Sequence, residues 1–93
     1  MKFHAYPDDE TLRYDVKNLI ISSLVLPISP EQIRDREKLF DGGMLNLENT
    51  DRVQLAVALE KQYDIQLDDD DIRSGILNTV ESIAELIQDR GKK

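Results

Sequence analysis

Few residues of this chain are equipped for chemistry, and most of them fall out at once. It holds one histidine, His4, and no cysteine. Without a thiol there is no disulfide, no thiolate metal site and no cysteine nucleophile. His4 has no second histidine to share a zinc ion with, and its place near the N-terminus offers no Ser/His/Asp set. The run Asp68–Asp71 lacks the alternating ligands, central glycine and distal glutamate of a calcium loop. It reads as solvated charge at the start of a helix, where the macrodipole favours acids. No metal site and no catalytic residue is therefore expected. The polar stretch that remains is Glu48-Asn49-Thr50-Asp51-Arg52, set at the entrance of an apolar segment that runs from Val53 to Tyr63. Asparagine is among the best N-cap residues, worth about 1 kcal/mol, so Asn49 is expected to cap the helix that follows.

The elements that must position this stretch are helical. Leu12, Val16, Leu19, Ile20 and Leu24 recur at helical spacing and predict a first helix over about residues 9–25, stopped by Pro27. Residues 26–48 form a long connection, of a kind that is often functional. Within it Ser29-Pro30-Glu31-Gln32 fits a capping box with proline at the first helical position, which predicts one helical turn ending near Ile33. Leu39 and Phe40 are expected to anchor the loop on the core, and Asp41-Gly42-Gly43 to turn the chain. The second helix is expected from Asn49 or Thr50 to about Tyr63, apolar over an arc wide enough to pack against several elements. A short helix follows the acidic run and ends at Ser74-Gly75. Asn78-Thr79-Val80-Glu81 reads as a capping box for a last helix to about Asp89, with Asn78 or Thr79 as its cap. Residues 1–8 read as an N-terminal extension, 9–89 as one helical domain and 90–93 as a disordered tail. No segment alternates with a period of two, so no strand is expected.

Composition narrows the function classes. The chain has 93 residues, 12 Lys and Arg against 19 Asp and Glu, and a net charge of -7. Such a balance repels nucleic-acid phosphates and anionic membrane surfaces and favours basic protein surfaces. No apolar run is long enough for a signal peptide or a bilayer span, which makes a cytoplasmic setting the expectation.

The order of elements resembles the acyl carrier protein family from about residue 11 to residue 88. Leu26-Pro27-Ile28-Ser29-Pro30-Glu31-Gln32-Ile33 resembles the start of that family's first loop, and Leu39-Phe40-Asp41-Gly42-Gly43 the anchor and turn before its modified serine. Val53-Gln54-Leu55-Ala56-Val57-Ala58-Leu59-Glu60 resembles its second helix, and Thr79-Val80-Glu81-Ser82-Ile83-Ala84-Glu85-Leu86-Ile87 its last. The resemblance implies an all-α, acyl-carrier-like four-helix bundle, three helices longer and one short, with a long loop between helices one and two. It also implies a site. Counting back from Val53 without a gap puts Asn49 where the family has the serine that carries 4'-phosphopantetheine. Glu48 replaces aspartate and Thr50 replaces leucine. An amide has no oxygen nucleophile, so Asn49 is expected to stay unmodified and no cofactor is expected. Thr50 carries a hydroxyl one position along, but a β-branched secondary alcohol in a shifted position is a poor substitute.

What the resemblance implies is a non-enzymatic carrier scaffold without its arm. It would act as a monomer through contacts with proteins of an acyl, polyketide or aminoacyl pathway, met by Glu48, Asp51, Arg52, Gln54 and Leu55. The family's second helix is strongly acidic, whereas here Asp51 and Glu60 are balanced by Arg52 and Lys61, so electrostatic steering at this helix is expected to be weak. Two alternatives stay open. One is a working carrier modified at another residue, or a natural carrier whose serine was changed to keep it in one unmodified form. The other is a small helical adaptor unrelated to acyl transfer.

Overall fold

A computed structural model describes residues 9–40, 45 and 47–90. The expected extension at 1–8, the turn at Asp41-Gly42-Gly43 and the last residues, 91–93, lie outside the described residues. Among those described there are four α-helices and no strand: α1 Asp9–Leu24, α2 Asn49–Tyr63, α3 Asp69–Arg73 and α4 Val80–Arg90. A 3₁₀ turn, Pro30–Gln32, interrupts the long loop with Ser29 as its N-cap, and Gln32 Oε1 accepts the Ser29 amide at 2.9 Å. The result is the expected helical bundle.

The core follows from helical spacing. Leu12, Val16 and Ile20 of α1 lie on one stripe and are fully buried. They meet Leu55 and Leu59 of α2 and Val80 and Ile83 of α4 in one apolar cluster. α1 is the hub, packing against both α2 and α4, while α3 rests on α2. The broad apolar arc expected of α2 is only half covered. Leu55, Ala56 and Leu59 face inward, but Val53 and Val57 remain 52% and 45% exposed.

α1 ends before its proline. Val25 takes a left-handed conformation, with φ 55°, and the Leu26 amide donates back to the Ile21 carbonyl at 3.0 Å. This six-to-one bond closes the helix as a Schellman motif, whose left-handed position usually holds glycine. A β-branched residue there sets its Cβ against its own carbonyl, at about 1–2 kcal/mol. Val25 is 83% exposed and gains little packing in return. Val25→Gly is expected to raise stability by up to about 1 kcal/mol after the entropy cost of glycine, read as a higher urea midpoint with an unchanged slope.

The backbone of the long loop is fastened to the start of α4. The Leu39 amide donates to the Asn78 carbonyl at 2.7 Å, and the Phe40 amide to Asn78 Oδ1 at 3.2 Å. Glu81 donates its amide to the Asp35 carbonyl at 2.9 Å. Leu39 and Phe40 are buried as expected, and Phe40 pairs with Leu47 in an isolated parallel bridge. Of the two caps expected for the last helix, Asn78 or Thr79, it is Thr79 that forms, without Glu81 as its box partner. Thr79 caps α4 by accepting the Ser82 amide at 3.0 Å, because Asn78 is committed to the loop and Glu81 to ion pairs.

Ion pairs complete the frame. Asp35 meets Lys17 at 2.8 Å and Arg13 at 2.9 Å; Glu81 meets Arg36 at 3.3 Å and Arg13 at 3.7 Å. At the other end α4 runs on to Arg90, which the expected tail had included. Its guanidinium forks onto both carboxylate oxygens of Asp71, at 2.6 and 2.8 Å. Hydrogen bonding from Lys17, reinforced by Arg13, holds the Asp35 carboxyl below its ordinary value of 3.8. The Arg90 fork, helped by the Asp68 amide, does the same to Asp71 more strongly. Both groups bind fewer protons folded than unfolded, so the stability they contribute is present above the ordinary aspartate range and is lost as pH falls through their depressed values. The thermal midpoint is expected to drop on acidification below about pH 4, and less steeply in Asp71→Asn, which is less stable at neutral pH.

Candidate functional site

The site is the first turn of α2. Glu48 precedes it in extended conformation, with φ -105° and ψ 173°, and occupies the N-cap position. The Glu48 amide donates to Asp51 Oδ2 at 2.9 Å, which satisfies one backbone donor and sets two acids at the positive end of the helix. This corrects the expected capping role of Asn49. Glu48 and Asp51 define the helix start between them, and Asn49 stands one residue inside, as the first helical residue with its side chain exposed. Thr50 beside it is exposed as well.

The next turn ties the site to the rest of the fold. The Arg52 guanidinium lies 4.8 Å over the centre of the Phe40 ring, a cation–π contact between α2 and the loop. Gln54 Nε2 donates to the Ser23 carbonyl at 2.6 Å, fastening α2 to the end of α1. Leu55, expected among the partner-binding residues, is fully buried and belongs to the core; a partner cannot reach it. The exposed positions of α2 are Asn49, Thr50, Val53, Gln54, Val57, Lys61 and Gln62. Their signal was present in the spacing, since 53 and 57 lie away from the stripe made by 55, 56 and 59. The Phe40–Arg52 stack and the Asn78 tie to the loop left no comparable mark, because both join residues far apart in the chain.

The acids of α2 are turned to internal use. Asp51 accepts the Glu48 amide, and Glu60 Oε2 accepts the Leu67 amide at 2.8 Å. Among the described residues no group of three His, Cys, Asp or Glu is placed to hold a metal ion, and no helix is long and apolar enough to cross a membrane.

A helical bundle of this order is the architecture that the acyl-carrier resemblance implies. The chain is 33% identical over 73 residues to the acyl carrier protein of Buchnera aphidicola subsp. Schizaphis graminum, covering 78% of this chain and 87% of that one. It is 27% identical over 77 residues to the acyl carrier protein of Bdellovibrio bacteriovorus, covering 83% and 91%. No family model matches it. The chain belongs to the acyl carrier protein family.

Proposed function

We propose that this domain is an acyl-carrier scaffold that does not take a phosphopantetheine arm at position 49 and acts through protein–protein contacts. The observation that carries the reading is the exposed Asn49 at the first position of α2. The place is open to a modifying enzyme, but the side chain offers an amide where attack on a pyrophosphate needs an alkoxide or hydroxyl oxygen. Its partners on this reading are proteins of an acyl, polyketide or aminoacyl pathway, met in the cytoplasm by the monomer. Glu48, Asp51, Arg52 and Gln54 frame the contact face, and Val53 and Val57 supply its apolar part. The domain is a binding module rather than an enzyme.

The exposure of Thr50 favours one second reading, in which the arm is carried one residue along. Intact mass after incubation with coenzyme A and a broad-specificity phosphopantetheinyl transferase separates the two. An unchanged native mass supports the armless scaffold. A gain that disappears in Thr50→Ala overturns it in favour of a working carrier.

A further inference from the structure

We infer that the turn at residues 34–38 is a cationic docking surface for a carboxylate-rich segment of a partner protein. The segment reads Arg34-Asp35-Arg36-Glu37-Lys38 and looks balanced in sequence. Folding unbalances it. A turn closes from the Glu37 amide to the Arg34 carbonyl at 3.2 Å. Asp35 is taken by two cations from α1, Lys17 at 2.8 Å and Arg13 at 2.9 Å. Glu37 accepts the Arg34 amide through Oε1 at 3.3 Å, and its Oε2 is shut off from solvent.

Both acids are therefore engaged within the protein, Asp35 with its side chain 36% exposed, while Arg34, Arg36 and Lys38 face the water. Arg34 and Lys38 are exposed, and the Arg36 side chain is 83% exposed despite its 3.3 Å contact with Glu81. Between this turn and α1 runs a shallow groove lined by four cations, Arg13, Lys17, Arg34 and Arg36, against two acids, Glu31 and Asp35, with Ile33 among them. The turn is a positive island on a protein of net charge -7.

Charge complementarity selects the occupant. Salt limits electrostatic contact to about 8–10 Å, so a short acidic segment can meet these cations without sensing the rest of the surface. A membrane or a nucleic acid presents continuous negative charge over an area wider than this island and is repelled by a protein of net charge -7. Arg34, Arg36 and Lys38 stand at every second residue, a spacing suited to separate carboxylates rather than to one phosphate cluster. The surface is independent of whether position 49 bears an arm.

The test is a titration of the ¹⁵N-labelled full chain with a Glu-rich octapeptide, a Lys-rich octapeptide and anionic phospholipid vesicles. The Glu-rich peptide is expected to shift the amides of residues 33–38 and those near Arg13 and Lys17, with affinity falling severalfold as salt is raised. The combined Arg34→Glu, Arg36→Glu, Lys38→Glu variant is expected to lose the response while its other amide peaks stay in place. The milder Arg34→Gln, Lys38→Gln pair is expected to weaken it. No response to the Glu-rich peptide, shifts centred elsewhere, or undiminished binding by the charge-reversed variant overturns the proposal. So does tighter binding of the vesicles, which would reassign the island to a lipid surface.

Discussion

Replacing Asn49 with serine is expected to turn a chain that a phosphopantetheinyl transferase leaves unchanged into one that gains the mass of a single arm. The effect is all-or-none because it turns on one atom. Asn49 is exposed and already helical, so the new hydroxyl stands where the transferase must reach. The helix start does not depend on the residue replaced, since Glu48 and Asp51 define it. Asparagine and serine differ little in helix propensity, and stability should change by no more than about 0.5 kcal/mol. A variant that folds like the native chain and still takes no arm would show that the enzyme is refused by the surrounding surface. The near-neutral face of α2, with Asp51 and Glu60 both turned to internal hydrogen bonds, would then be the first place to look.

Phe40→Ala is expected to cost about 3–5 kcal/mol, measured by urea denaturation. Phe40 is 1% exposed, carries Arg52 over its ring and pairs with Leu47 across the loop. Its removal opens a cavity and frees the segment that leads into α2. A domain of this size has about 5–15 kcal/mol in all, so the variant should sit near the edge of unfolding at body temperature. Phe40→Leu keeps much of the volume and loses the ring, and its cost should be nearer about 1–2 kcal/mol. Equal costs for the two variants would mean that the ring face matters more than the space it fills.

The parts of this structure legible in sequence are those written in local periodicity. The stripe of Leu12, Val16 and Ile20 announced α1, and Ser29-Pro30-Glu31-Gln32 announced the 3₁₀ turn. At the site the reading slipped by one residue. Asparagine is a strong cap, but Glu48 with Asp51 three residues on made a competing box, and the carboxylates took the positive end of the helix. Leu55 reads as part of the partner face in sequence because the apolar arc of α2 is wide and its spacing alone does not say which side the rest of the fold will cover. Val25 gave no warning at all, since its left-handed backbone follows from how α1 must end and not from any preference of valine. The role of Asn78 was hidden for a different reason: its partners, Leu39 and Phe40, are 38 or more residues away.

That last pairing bears on the order in which the chain can fold as it is made. The amides of Leu39 and Phe40 find their acceptors on Asn78, and Asp35 finds the Glu81 amide only three residues later. A growing chain that has finished α2 still lacks every one of these acceptors and donors. α1 and α2 can form and touch, and Asp35 can already meet Lys17 and Arg13, but the backbone ties of Asp35, Leu39 and Phe40 stay open until the last helix has left the ribosome. The loop that leads toward α2 thus gains its backbone ties only near the end of synthesis, and half-made chains carry it without them.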